Sequence, residues 1–196
     1  MLIYISQRVD IHSDYNERRD ALDQRWASLL LQAGHMALPI FNHAEIADKL
    51  LKYHPPGGII LSGGNNPQIY GGNAPERDEI DAFLTEYAVK YKIPLLGVCR
   101  GMQSIVLYFD GLLHKVKGHT AVRHMVNGEI NREVNSYHNF APKSLPEELY
   151  SAGRSSDGEI ECIKHKHLPI MGIMWHPERE IIFNKDDLKM LYQLFI

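Results

Sequence analysis

Pro94-Leu95-Leu96-Gly97-Val98-Cys99-Arg100-Gly101-Met102-Gln103 is the stretch whose reading decides the fold. Pro94 to Val98 is a short apolar run of strand character. Gly101 to Phe109 carries Met102, Ile105, Val106 and Phe109 on one helical face. A strand that turns at once into a helix through Gly-x-Cys-x-Gly has the form of a nucleophile elbow built on cysteine. Gly97 and Gly101 remove the side chains that would collide across so tight a turn. The sulfur of Cys99 is then expected above the sheet at a helix N-terminus, where N–H groups and the helix dipole favour thiolate.

The rest of the first half repeats this alternation. Leu2–Ile5 reads as a buried strand. Asn16 to Ala33 reads as a helix, with Leu22, Trp26, Leu29, Leu30 and Ala33 on one face and Gly34 as its stop. Ala37–Phe41 is a second strand and Ala44–Lys52 a weaker helix, ended by His54-Pro55-Pro56-Gly57-Gly58. Ile59-Ile60-Leu61 is a buried strand that opens into Ser62-Gly63-Gly64-Asn65. Glu76–Tyr91 is a helix with Ile80, Phe83, Leu84, Tyr87, Ala88 and Tyr91 along one side.

After Asp110-Gly111 the texture becomes strand-rich. Ala121–Val126 and Ile130–Val134 flank Asn127-Gly128, a hairpin signal. Leu149–Ser151, Ile160–Lys164 and Ile170–Met174 are further short strands, and Asp186–Phe195 is a closing helix. The predicted fold class is α/β: a three-layer sandwich with a largely parallel central sheet and a small strand-rich insertion, one domain over 1–196.

Composition narrows the function. The chain has 196 residues, 44% hydrophobic and 23% charged, with a formal net charge of −3. Those values fit a globular domain rather than a disordered or strongly basic nucleic-acid-binding chain. No apolar run approaches a membrane span, and the N-terminus does not read as a signal peptide. With only two cysteines, Cys99 and Cys162, a disulfide framework is not expected, and a cytoplasmic location is the default.

A thiolate nucleophile needs a base, and the base needs an orienting group. Eleven histidines are present, so context must choose among them. His176 follows the Ile170–Met174 strand within Trp175-His176-Pro177-Glu178. The two-residue spacing lets Glu178 hold one imidazole nitrogen while the other faces the sulfur. The N–H groups of Arg100 and Gly64 suit a developing oxyanion.

Three separated segments carry a resemblance. Gly58-Ile59-Ile60-Leu61-Ser62-Gly63-Gly64, Gly97 to Gln103, and Gly172-Ile173-Met174-Trp175-His176-Pro177-Glu178 resemble the class I glutamine amidotransferases, which include the γ-glutamyl hydrolases. The resemblance implies a Cys99–His176–Glu178 triad, a glutamyl thioester, and an oxyanion hole from the N–H groups of Gly64 and Arg100. It also implies glutamyl binding by Gln103, Ser136 and Tyr137, the last two within Val134-Asn135-Ser136-Tyr137-His138.

The family divides into glutaminases that feed ammonia to a synthase and free hydrolases of γ-glutamyl amides. One closing helix is expected after the third segment, with no synthase domain, so either a separate synthase or ligase partner exists or none is needed. Arg100 after the cysteine, Asn135 to Asn139 and Glu76-Arg77-Asp78 look like the hydrolases of small γ-glutamyl amides. The Ser62–Asn65 loop and the Glu17–Leu22 segment look most like the branch that removes glutamate from γ-glutamyl-CDP-amidate during phosphoramidate modification of polysaccharides. A phosphate-bearing leaving group calls for cations, and Arg77 and then Arg18 are the first candidates. His114 to His124 and His165-Lys166-His167 lack a cysteine–histidine ligand spacing, so the sequence assigns no metal and no cofactor.

Overall fold

The computed structural model describes all 196 residues. Chain order begins β1 (Leu2–Ile5), β2 (Arg8–His12), β3 (Glu17–Ala21), α1 (Arg25–Gln32), β4 (Met36–Pro39), α2 (Ala44–Tyr53), β5 (Gly58–Leu61), α3 (Pro75–Tyr91), β6 (Leu95–Val98) and α4 (Arg100–Tyr108). It continues β7 (Leu112–Lys115), β8 (Thr120–Gly128), β9 (Arg132–Tyr137), β10 (Phe140–Ser144), β11 (Leu149–Ser155), β12 (Ile160–His165), β13 (Ile170–Ile173) and α5 (Lys185–Leu194).

A nine-stranded sheet in the order β4-β1-β5-β6-β13-β12-β11-β8-β9 forms the middle layer. From β4 to β13 the neighbours are parallel; from β13 to β9 they are antiparallel. The strand-rich segment therefore extends the central sheet instead of forming a separate one. Only β7–β10 and β2–β3 make small sheets of their own.

Strand periodicity sorts the core into two layers. Ile59 and Leu61 face α2, α3 and α4, together with Ala47, Leu51, Ile80, Leu84, Met102 and Val106. Ile60, Leu96 and Val98 face α1 and α5, with Trp26, Leu29, Leu30, Leu191 and Phe195. Successive strand side chains point to opposite faces, and both faces are covered, so the central strands read as unbroken apolar runs. Helix boundaries follow local chemistry. Pro75 opens α3 at a position where its missing N–H costs nothing, and the Asn184 side chain caps α5 by accepting from Asp186 N–H at 2.8 Å.

The expected helix from Asn16 is shorter than its pattern suggested. Asn16 lies in the left-handed region, Glu17–Ala21 pairs with Arg8–His12 as a hairpin, and the helix begins only at Arg25. The apolar periodicity starts at Leu22; the charged residues before it give a helix no face to bury. Asn127-Gly128 also does not form the hairpin turn. Both residues stay in β8 and pair with Arg154 and Gly153 of β11, and the chain reverses over 129–131.

The tightest packing lies where β5, β6 and α4 meet. A Cβ on Gly101 would lie 2.0 Å from the Leu61 carbonyl oxygen, and one on Gly97 would lie 2.5 Å from the Gly101 carbonyl carbon. Both obstacles are backbone and cannot swing aside. Gly101→Ala is expected to lose roughly 3 kcal/mol, the upper end of ordinary overpacking. Gly158→Ala, at φ +95° but with open space around it, is expected to lose only about 1 kcal/mol. Urea-denaturation midpoints of the two variants check this; equal losses would mean that backbone contact does not set the elbow.

Candidate active site

Three neighbouring parallel strands end together. Leu61 of β5 pairs with Gly97 of β6, and Val98 of β6 pairs with Ile173 of β13. The Ser62–Gly64 loop, Cys99 and Trp175–Glu178 therefore leave the sheet side by side at its carboxyl edge, where open α/β sheets place their ligand sites.

Cys99 stands at φ +52°, ψ −103°, a left-handed conformation unusual for a side chain with a Cβ. Its N–H donates to Ile173 O at 2.7 Å, and its carbonyl accepts from Gln103 N–H at 3.1 Å. The residue is thus pinned between strand β13 and helix α4. Cys162, by contrast, is sealed in β12, and burial pushes its thiol up to about 12. It has none of the elbow's surroundings.

His176 and Glu178 are both buried, and Nδ1 of the ring lies 2.7 Å from Glu178 Oε1. Burial pulls the pKa of His176 down, but the Glu178 charge and the Cys99 thiol together outweigh it and raise the value to about 9. The main chain of His176 is gripped by Asn135: its Nδ2 donates to His176 O and its Oδ1 accepts from His176 N–H, both at 2.8 Å. The Arg25 guanidinium holds the segment beyond, donating to Glu178 O at 2.7 Å and to Ile181 O at 3.2 Å. Sequence reasoning did not single out Asn135 or Arg25, because neither role has a local signature. Each reaches across more than forty residues to a main-chain group.

The loop after β5 sits against this ring. A Cβ on Gly63 would fall 2.5 Å from His176 Cε1. Gly64 has φ +136°, and a Cβ there would strike Arg77 Nη1 and Arg8 Cβ, each at 2.5 Å. The Gly64 N–H makes no hydrogen bond within the chain. Arg100 opens α4, so its N–H belongs to the turn that has no intrahelical acceptor.

Arg77 lies elsewhere than a leaving-group contact requires. It is fully buried beneath the loop and donates to Ser62 O at 2.5 Å and Gly63 O at 2.9 Å. Burial draws its pKa down to about 10, while Asp81 opposes the shift. The Arg100 side chain also turns inward, to Asp81 Oδ2 at 2.6 Å and to Asp78. Asp81 thereby joins the loop's arginine to the elbow's arginine, and Ser104 Oγ donates to the same oxygen at 2.9 Å. Arg18 is half exposed on the β2–β3 hairpin, with Nε on Glu76 Oε1 at 2.7 Å and Nη2 on Asn73 O at 2.9 Å.

The three residues expected at a glutamyl group lie on α4 and β9. Gln103 is buried on α4 and donates from Nε2 to Phe140 O at 3.0 Å. Ser136 is buried on β9, with its hydroxyl donating to His119 O at 2.7 Å, so its side chain is already engaged. The Tyr137 ring stands edge-on to His176, centroids 5.8 Å apart. The exposed Arg179 guanidinium stacks over that tyrosine at 4.7 Å. Arg179 was not among the sequence candidates, although it directly follows Glu178.

Known proteins share this pattern. The model of the family "Glutamine amidotransferase class-I" matches residues 21–196. A γ-glutamyl-CDP-amidate hydrolase from Campylobacter jejuni is 36% identical over 185 residues, covering 92% of this chain and 91% of the relative. A γ-glutamyl-γ-aminobutyrate hydrolase from Escherichia coli O157:H7 is 29% identical over 201 residues, covering 80% of this chain and 78% of the relative. Among solved structures, that of a candidate GMP synthase subunit from Thermoplasma acidophilum superposes over the whole chain and 92% of its own length. Its TM-score is 0.71 at 22% identity, a likeness of fold. A family match that runs from the end of the β2–β3 hairpin to the last residue, on a sheet that delivers its three motifs to one edge, places this chain in the class I glutamine amidotransferases.

Proposed function

We propose that the protein is a hydrolase of γ-glutamyl amides, with γ-glutamyl-CDP-amidate as its substrate. The observation that carries this reading is the buried His176–Glu178 pair, Nδ1 2.7 Å from Oε1, which leaves the sheet at the same edge as the Cys99 elbow. It lies beside the glycine loop, whose Gly64 N–H makes no hydrogen bond within the chain. The near end-to-end correspondence with the Campylobacter jejuni relative supports the choice of substrate.

In this reading Cys99 Sγ, its proton held by His176, attacks the γ-carbonyl carbon of the glutamyl group. The carbonyl electron pair moves onto oxygen, facing the N–H groups of Gly64 and Arg100. Collapse of the tetrahedral intermediate breaks the C–N bond. The protonated imidazole gives its proton to the departing nitrogen, which leaves as the phosphoramidate. Water then attacks the thioester carbonyl, His176 accepts its proton and returns it to sulfur, and glutamate is released. Glu178 keeps the ring oriented and stabilises its charged form. Gln103 and the main chain of Ser136 and Tyr137 border the glutamyl end.

The leaving group differs from ammonia in carrying phosphates, so specificity rests on cations at the mouth. Arg77 is enclosed under the loop and supports it from below. Arg179 presents an exposed guanidinium on Tyr137, next to His176, and Arg18 a second one on the hairpin. Arg179 is the better placed.

Cys99→Ala is expected to lower kcat by at least about 10⁴-fold with folding intact, since triad members act as a unit. A glutamine-analogue electrophile should label Cys99 and leave Cys162 untouched; labelling chiefly at Cys162 would overturn the nucleophile assignment. Rate profiles test the base. The active form carries the His176 proton, so kcat/KM should fall as pH rises through about 9. Glu178→Gln removes the strongest charge holding that proton, and the alkaline limb should move to lower pH. An alkaline limb that stays put in Glu178→Gln would show that His176 does not produce it.

For substrate choice, kcat/KM is to be compared for glutamine, γ-glutamyl-γ-aminobutyrate and γ-glutamyl-CDP-amidate. The CDP-amidate is expected to be preferred by the chain acting alone. Arg179→Gln should cost about 10–100-fold on that substrate, the worth of one charge-assisted contact, and little on glutamine. Activity on glutamine alone, appearing only when a synthase is added, would place the protein among the ammonia-delivering subunits.

A further inference from the structure

Away from the thiol, three histidines and two carboxylates converge between the antiparallel strands. His119 precedes β8, His124 lies on it, His138 follows β9, Asp157 sits in the turn before β12, and Glu161 is on β12. His119 and His138 are each 2% exposed and Glu161 is fully enclosed. Nothing in the sequence connects them, because they span more than forty residues and carry no ligand spacing.

Their hydrogen bonds fix which nitrogen points where. His119 Nε2 lies 2.9 Å from Asp157 Oδ2, and His138 Nδ1 lies 3.1 Å from the Phe140 carbonyl oxygen. Both partners can only accept, so both of those ring nitrogens carry hydrogen. In the neutral rings the other nitrogens, His119 Nδ1 and His138 Nε2, turn lone pairs inward. They lie 3.1 and 3.2 Å from the same oxygen, Glu161 Oε1, and 3.2 Å from each other. His124 Nε2 approaches that oxygen to 3.4 Å. Three acceptors, His119 Nδ1, His138 Nε2 and Glu161 Oε1, thus crowd one point, with His124 Nε2 at their edge. Two buried atoms around it, His124 Nε2 and the second oxygen of Glu161, have no hydrogen-bond partner at all. Acceptors gathered in this way repel unless a positive centre stands among them.

The spacing suits a metal ion. Ligands 2.0–2.1 Å from a tetrahedral zinc stand about 3.3 Å apart, close to the separations around Glu161 Oε1. His119, His124 and Glu161 offer atoms that all lie within 4.8 Å of one another, a spread that a bound ion would draw in. We propose that His119, His124, His138 and Glu161 form a binding site for a divalent transition metal, with zinc the best fit. Asp157 and the Phe140 carbonyl hold the outer nitrogens of two ligands, the usual arrangement around metal-bound imidazole. Nitrogen and carboxylate donors without thiolate suit zinc and its first-row neighbours. Four protein ligands close the coordination shell, so the ion is structural.

Its position gives it a task. The His119 carbonyl accepts both Ser136 Oγ, at 2.7 Å, and the His138 N–H, at 3.0 Å. An ion at His119 therefore ties the end of β9, which carries Ser136 and Tyr137, to β12 in the body of the sheet. This inference does not depend on the proposed reaction.

The test uses the untagged full chain. Protein purified from zinc-supplemented cells is expected to hold about one zinc per chain by elemental analysis. Stripping with chelator should lower Tm, and zinc at a hundredfold excess over its Kd should restore roughly 5–10 °C. Cobalt added to stripped wild-type protein should give the absorption of a tetrahedral ion without a thiolate charge-transfer band. Cys99→Ser should keep the zinc, and His124→Ala, at a partly exposed position, should lose it. Failure of wild-type protein to take up zinc or to gain stability from it would overturn the proposal and leave the cluster held together by protons. Retention by His124→Ala with loss in Cys99→Ser, or a thiolate band with cobalt, would overturn it equally by moving the metal to the thiol.

Discussion

The rest of the structure depends on the contact of backbone with backbone at Leu61, Gly97 and Gly101. Strand β6 can turn into α4 within one residue only because no side chain separates the helix from β5 and from the strand it leaves. That residue is Cys99, held at φ +52°. A left-handed conformation at a non-glycine residue costs about 1–3 kcal/mol and persists where the surroundings over-determine it. Here they do: the Cys99 main chain is bound to β13 on one side and to α4 on the other. The same closeness brings the ends of β5, β6 and β13 together, so the glycine loop, the thiol and the imidazole share one edge.

Beneath that edge lies a buried set of charges. Asp81 of α3 meets the guanidinium of Arg77, which holds the loop carbonyls, and that of Arg100, the residue after the cysteine. Enclosed charges are costly to desolvate, so such a set adds little net stability but makes the loss of any one member expensive. Its structural effect is positional. It links the loop after β5 to the elbow through a third element, and it engages both arginine side chains beneath the loop. Asn135 does the same for His176, using both ends of one amide on the N–H and carbonyl of a single residue.

The antiparallel half of the sheet supplies the remainder. Strand β9 brings Asn135 to the His176 main chain and Tyr137 to its ring, while His119 before β8, His124 on it and His138 after β9 gather around Glu161 of β12. Two polar centres therefore lie on one strand system, one at the thiol edge and one enclosed between strands. Ser136, whose hydroxyl binds the His119 carbonyl, lies on the strand between them.

Much of this was legible in the sequence. The apolar runs of β1, β5, β6 and β13, the faces of α1, α3 and α4, and the order of the three motifs all follow from local pattern, because strand and helix periods are properties of neighbouring residues. The Gly-x-Cys-x-Gly elbow and the His-x-Glu pair were legible for the same reason: their geometry spans a few residues. Where local pattern misled, a distant partner decided. Glu17–Ala21 became a strand because Arg8–His12 was there to pair with it, and Asn127-Gly128 stayed extended because β11 lay alongside. Arg77 reads as a cation for a phosphate-bearing leaving group; only the fold buries it against Ser62 and Gly63. Asn135, Arg25 and the cluster around Glu161 have no local signature, since their chemistry arises between residues far apart in the chain. The sequence by itself determined most of the elements and the candidate reactive groups, because those depend on spacing along the chain. The tertiary structure alone decided which charges are enclosed and which polar atoms meet, because desolvation and hydrogen-bond partnership depend on what packs across space.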